Sequence, residues 1–207
     1  MAIGGDRLRL VELGGGVGFR SGGVGIRLRG MTDEQLIARI TDTALLHGDF
    51  TLRSGRKSKY YLDKYLFQTR PEILAALADR FAQRVAEVPG GVDRLAGAEL
   101  GGIPIVSATG IAADKPFILI RNQKKGYGTA KQVEGELNPG DKIVILEDIA
   151  TTGGQVLEAA KTLSDMGAKV VSIIAVIDRQ EGARENIEAA GYGFDSLLTK
   201  ADLGIDE

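Results

Sequence analysis

The segment IVILEDIATTGGQ, residues 143–155, gathers the most chemically useful side chains of the sequence. An apolar run ends in two adjacent carboxylates, Glu147 and Asp148, followed by Ile149, Ala150, Thr151, Thr152, Gly153, Gly154 and Gln155. The run reads as a strand buried on both faces, and the threonine and glycine series as the opening of a helix. In open α/β sheets, ligands bind outside the carboxyl ends of such strands. Free N–H groups, two hydroxyls and the positive helix end form a cradle for one phosphate, and the glycines let the backbone approach it. Phosphate alone leaves the acids unexplained, because ionised carboxylates only accept hydrogen bonds. A sugar with neighbouring hydroxyls is the partner they fit.

A second concentration of charge runs from Arg121 to Lys131, with four basic residues, no acid, and Gly126 and Gly128 as flexible points. By itself this composition describes a solvated loop. Beside a phosphate cradle it becomes a set of cations able to stabilise departing pyrophosphate, more in the transition state than in the ground state. Arg179 follows Asp178 at the end of another apolar run. It is either a surface ion pair or a planar donor for a carboxylate-bearing ligand. Gly101-Gly102 in AELGGIPI marks a tight strand-to-helix turn or a backbone contact to phosphate. His47, the single histidine, reads as a solvated cap at a helix end before Gly48.

Composition removes several function classes. The 207 residues, 43% apolar and 26% charged, fit one α/β-sized domain with a sizeable core. With no cysteine and one histidine, a disulfide framework, a cysteine nucleophile, a two-histidine zinc site and a histidine-based triad all fall away. A net charge of -2 gives no general pull toward nucleic acid or an anionic membrane. No apolar run approaches the roughly 20 residues of a membrane span, and no signal peptide opens the chain. The expectation is a soluble cytoplasmic protein with neither nucleic acid nor membrane as partner. Neither G-x-G-x-x-G nor G-x-x-x-x-G-K-[ST] occurs, which argues against a dinucleotide fold and a P-loop nucleotidase.

The elements that must position these groups follow from pattern. Residues 1–30 hold ten of the 29 glycines, five arginines and two acids without a sustained period, so they read as a disordered leader. The alternative is a basic arm for RNA or phosphate. A single domain is expected over 31–207. Thr32 and Gln35 form a capping box for a helix whose face carries Leu36, Ile37, Ile40, Ala44 and Leu45. DFTLRSGRKSKYYLD is an extended pair turning at Ser54-Gly55-Arg56. Thr69 and Glu72 form a second capping box, with Pro71 in the first turn, for a helix reaching Pro89-Gly90-Gly91. Strands are expected near 93–97, 117–121, 142–147 and 169–177, and helices near 102–113, 154–167 and 182–190. Alternation of this kind predicts an α/β fold with a mainly parallel sheet.

The strand, two acids and Thr/Gly loop of 143–155 resemble the signature of the phosphoribosyltransferases, which bind 5-phosphoribosyl 1-pyrophosphate (PRPP). FTLRSGRKSKYYLD, GAELGGIPI, IRNQKKGYGT, VILEDIATTGG and VIDRQEG stand in the order and spacing of the orotate phosphoribosyltransferase family, over most of residues 45–185. The resemblance implies an open, mainly parallel sheet flanked by helices, of the type I phosphoribosyltransferase kind, with a small N-terminal α+β hood. It implies transfer of phosphoribosyl from PRPP to orotate, in pyrimidine biosynthesis, with Mg²⁺. Alternatives are another base as acceptor, or a non-catalytic regulator with the PRPP fold.

Residue by residue, the resemblance implies that Glu147 and Asp148 hold the ribose and that Thr151, Thr152, Gly153, Gly154 and Gln155 hold its 5′-phosphate, with Ile149 and Ala150 also among the substrate-binding residues. Arg121 and Lys125 clamp the leaving group, with Lys125 counted beside the two acids as catalytic. Asn122 stands where the family usually has a lysine, and Tyr127 where it has a histidine. Arg53 replaces a frequent lysine, and Gly101 a lysine found in some members, while the backbone at Leu100 and Gly101 meets pyrophosphate. Arg179 and Thr151 contact orotate, and Tyr61 and Leu62 edge the base pocket. No protein ligand to the metal is implied. The chain is expected to form a homodimer whose 121–131 loop acts on the neighbouring site.

Overall fold

The structure, a computed structural model, describes residues 30–51, 55, 57–122 and 132–205. The expectations for residues 1–29, Arg53, Lys125 and Tyr127 lie outside the described residues.

Helix α1 (Asp33–Ala44) starts as the sequence predicts. The Thr32 hydroxyl accepts from the Gln35 N–H at 3.3 Å, and the Gln35 side chain accepts from the Thr32 N–H at 3.0 Å. Leu36, Ile40 and Ala44 face the core at helical spacing. The helix stops at Ala44, where strand β1 (Leu45–Thr51) begins and pairs antiparallel with β2 (Lys57–Leu62). His47 is therefore an exposed strand residue opposite Tyr60, and the helix-end reading of it is corrected. Leu45 pairs with Leu62 and Leu46 with Tyr61 across the strands, with the Phe50 and Tyr61 rings 5.6 Å apart, and that outweighs extending α1 by one more turn.

Asp63 accepts from the Tyr65 N–H at 3.0 Å and caps the short helix α2 (Lys64–Gln68). The second expected capping box does not form. Thr69 is the C-cap of α2, and its hydroxyl donates to the Tyr65 carbonyl at 2.7 Å. Helix α3 (Pro71–Ala86) starts instead from Arg70, without a side-chain cap and with proline presetting its first turn.

Strands and helices then alternate: β3 (Arg94–Ala98), α4 (Gly102–Ala112), β4 (Phe117–Ile120), β5 (Val133–Glu134), β6 (Lys142–Ala150), α5 (Gly154–Asp165), β7 (Lys169–Asp178), α6 (Ala183–Ala189) and β8 (Gly193–Thr199). A 3₁₀ turn at Ala201–Leu203 follows. The main sheet has the order β5-β4-β3-β6-β7-β8, parallel throughout except where β5 runs antiparallel to β4. This is the open, mainly parallel sheet expected, with α1, α2 and the β1–β2 hairpin as the hood. Among the described residues, no helix is long and apolar enough to cross a membrane.

Central strand β6 sorts its side chains to the two faces. Val144 and Leu146 join the core built with α1, α3 and α4, whereas Ile143 and Ile145 join the one built with α5 and α6. Burial on both faces is why this segment is apolar without alternation.

Candidate active site

Glu147 and Asp148 lie within β6, where Glu147 is opposite Ala175 of β7. Strand alternation carries Asp148 onto the Val144 and Leu146 face, while Glu147 continues the Ile143 and Ile145 row. Asp148 is 2% exposed and both its oxygens are engaged. Oδ2 pairs with the Lys64 ammonium at 2.8 Å, and Oδ1 accepts from the Ile149 N–H at 2.6 Å. Lys64 opens α2 and comes from a segment that sequence reasoning passed over. Gly101 makes room for this pair, since a Cβ there would coincide with Asp148 Oδ2. A tight turn at 101–102 thus has a specific cause in the approach of a carboxylate to the backbone.

The two acids differ electrostatically. Burial, then repulsion from Asp148, pushes the Glu147 carboxyl up to about 8, with Lys64 pulling the other way. Burial also draws Lys64 toward losing its proton, but attraction to Asp148, their hydrogen bond and the more distant Glu147 outweigh it, leaving Lys64 above the ordinary lysine value.

Beyond Ala150, the chain turns through Thr151 and Thr152 to Gly153, which takes φ 79° as the N-cap of α5 and brings no side chain to satisfy the helix end. The first helical bond runs from the Leu157 N–H to the Gly153 carbonyl at 2.9 Å. The N–H groups of Gly154, Gln155 and Val156 precede that ladder, as a phosphate cradle requires. Asn186 of α6 fixes the turn from behind, donating from Nδ2 to the Thr152 carbonyl at 2.9 Å.

The basic segment begins beside this cradle. The Arg121 N–H donates to the Gln132 carbonyl at 2.8 Å, which draws the two ends of the intervening segment together. Its guanidinium faces Glu134 at 3.9 Å. Asn122 donates its N–H to the Glu99 carboxylate at 2.7 Å and accepts from Gln155 Nε2 at 3.2 Å. Arg121, Asn122, Gln132, Gln155 and Glu158 are among the residues around a cavity of about 540 Å³. Leu100, next to Glu99, is exposed.

Arg179 sits directly after β7. Its N–H donates to the Ala150 carbonyl at 2.9 Å, placing it next to Thr151, and its guanidinium reaches both Tyr60 of β2 and Glu181. Tyr61 is exposed beside it in sequence and Leu62 is buried. The fold thus brings the acids, the helix end, the base of the basic segment and Arg179 to the carboxyl edge of one sheet, under the hairpin.

The Phosphoribosyl transferase domain family matches residues 67–196. The orotate phosphoribosyltransferase of Natronomonas pharaonis is 44% identical over 177 residues, covering 85% of this chain and 99% of its own length. That of Pyrococcus abyssi is 43% identical, with 82% and 94% covered. The Mycobacterium tuberculosis orotate phosphoribosyltransferase, solved in complex with PRPP, superposes with a TM-score of 0.71 at 29% identity, covering 83% of this chain and 98% of that one. With relatives of this identity aligned over nearly their whole length, the chain belongs to the orotate phosphoribosyltransferase family.

Proposed function

We propose that the site described above transfers the phosphoribosyl group of PRPP to orotate, giving orotidine 5′-monophosphate (OMP) and pyrophosphate in pyrimidine biosynthesis. One observation carries this reading. A buried strand bearing two acids runs straight into an uncapped helix N-terminus, so carboxylates for a sugar and N–H groups for its phosphate share one edge.

In this reaction the ring nitrogen of orotate gives up its proton and bonds to the anomeric carbon as the bond to the pyrophosphate oxygen breaks, the electron pair leaving with pyrophosphate, which takes up a proton in the balance. The sugar passes through an oxocarbenium-like state. Asp148 and Glu147 accept from the ribose hydroxyls, and Asp148, buried beside Lys64, faces the developing positive charge. Thr151 to Gln155 hold the 5′-phosphate, with Ile149 and Ala150 leading into that turn from β6. Arg121 and Lys125 counter the charge growing on pyrophosphate, with Arg53, Tyr127 and the Leu100–Gly101 backbone alongside. Asn122, whose side chain accepts from Gln155, ties the start of the basic segment to the phosphate cradle. Arg179 and Thr151 take the orotate carboxylate side, and Tyr61 with Leu62 bounds the base.

The donor chemistry fits Mg²⁺ carried by the substrate. Among the described residues no group of three or more histidine, cysteine or acidic side chains could hold an ion. Mg²⁺ typically keeps waters and phosphate oxygens as ligands, and when bound it neutralises charge on the departing pyrophosphate. Residues 31–207 are taken as one catalytic unit, and the charged substrates fit a cytoplasmic setting. Leu46, Tyr61, Tyr65 and Leu66 on the hairpin and α2 are large exposed apolar side chains, which supports a homodimer with the 121–131 loop serving the neighbouring site. A base panel tests the reading: orotate, uracil, adenine and guanine offered with PRPP and Mg²⁺, with turnover expected for orotate alone.

A further inference from the structure

Lys64 belongs to none of the segments assigned to substrate above, yet its ammonium lies at the centre of the site. It pairs with Asp148 at 2.8 Å, and it lies 3.2 Å from where a Cβ on Gly101 would stand. It therefore fills the space that a side chain from the turn between β3 and α4 would otherwise enter. Of the two partners, the Asp148 side chain is 3% exposed and that of Lys64 34%, so the ammonium forms the open end of the pair. An ammonium carries three donors, and Asp148 takes one.

The turn Glu99-Leu100-Gly101-Gly102 carries no cation of its own. Gly101 cannot carry a basic side chain unless Asp148 moves aside, since the Cβ alone would meet its Oδ2. Asn122 offers an uncharged side chain, held by Gln155. On the reading proposed above, pyrophosphate, the most highly charged part of PRPP, lies where the turn at 99–102 meets the acids. We propose that the Lys64 ammonium binds the pyrophosphate group of PRPP, a cation supplied from the hood helix α2 where the turn itself supplies none. This rests on reading the site as that of a phosphoribosyltransferase. While Asp148 turns to the ribose hydroxyls, Lys64 keeps one donor on it and directs the others to phosphate oxygens, so ribose and leaving group are held by one ion pair.

The competing role is purely structural, with Lys64 serving only as counterion to Asp148. The reverse reaction separates the two, because OMP carries the ribose and pyrophosphate is a separate substrate. Lys64→Met should raise the KM for pyrophosphate about tenfold or more, with the KM for OMP changing less than about threefold. Lys64→Arg, which keeps the charge, should restore most of the pyrophosphate affinity. If Lys64→Met turns over too slowly, calorimetric titration with pyrophosphate and with OMP in Mg²⁺ buffer reads the same split without catalysis. Equal weakening of both ligands, or an unchanged pyrophosphate affinity, would overturn the proposal. Wild-type protein unable to convert OMP and pyrophosphate would instead overturn the underlying reading of the site.

Discussion

Arg179 donates from Nη2 to the Tyr60 hydroxyl at 2.9 Å, joining the end of β7 to the N-terminal hairpin. The arginine side chain is 15% exposed and is also held by Glu181 at 2.9 Å. A guanidinium held twice through Nη2 leaves the donors of Nε and Nη1 side by side in one plane, the geometry that pairs with a carboxylate. Arg179→Lys should raise the KM for orotate about tenfold or more, with the KM for PRPP held within about threefold. Tyr60→Phe should give a smaller rise in the same constant. Steady-state kinetics with each substrate varied in turn checks both, and an unchanged orotate KM in Arg179→Lys would move the base carboxylate elsewhere.

Asp148→Asn is expected to reduce turnover by about a hundredfold or more, because a buried carboxylate beside developing positive charge is lost. Since Asp148 lies inside β6 and pairs with Lys64, the same change should also cost about 1–3 kcal/mol of stability. Chemical denaturation alongside the assay reads both quantities. A fully active Asp148→Asn protein would remove these acids from the mechanism.

Glu147 makes stability depend on pH in a defined direction. Its carboxyl is raised from 4.5 to about 8 in the folded chain, so the folded state holds this proton more tightly than the unfolded state. The contribution is fully present below pH 4.5, and is lost as the pH rises through about 8. Glu147→Gln cannot ionise and escapes that loss. The melting temperature of Glu147→Gln minus that of wild type should therefore climb from pH 5 to about pH 8 and level off above it. A flat difference would place an ordinary carboxylate at 147.

Much of this arrangement is legible in the chain. Apolar runs without alternation mark β6 and β7, Thr32 and Gln35 mark the start of α1, and the glycines after two acids mark the helix end at α5. Other features escape sequence reasoning for physical reasons. Thr69 carries the pattern of an N-cap, but its hydroxyl closes the preceding helix, a choice set by α2 rather than by local spacing. Strand β8, GFDSLLT, lies at the sheet edge with one neighbour and lacks the β-branched run that betrays a central strand. Lys64, Tyr60 and Asn186 gain their places only through contacts with Asp148, Arg179 and Thr152, far away in sequence. No local signal announces such pairs.

Mixing two inactive variants tests whether the basic segment works across a dimer. Lys125→Ala is to disable the neighbour's site and Asp148→Asn its own, so a mixed dimer would contain one site with both defects and one intact. After subunit exchange, activity should return to about one quarter of wild type: about half the dimers are mixed, with one good site of two. Mixtures as inactive as their components, despite demonstrated exchange, would assign Lys125 to its own chain's site.

On the proposed function, the acids of β6 and the helix end of α5 together carry phosphoribosyl transfer to orotate. Its most direct measurement is the loss of orotate absorbance in wild-type protein supplied with PRPP and Mg²⁺, with released pyrophosphate quantified in parallel. PRPP-dependent consumption of orotate is expected, with one pyrophosphate released per orotate consumed. Orotate left unconsumed by folded protein, or consumed without equivalent release of pyrophosphate, would contradict it.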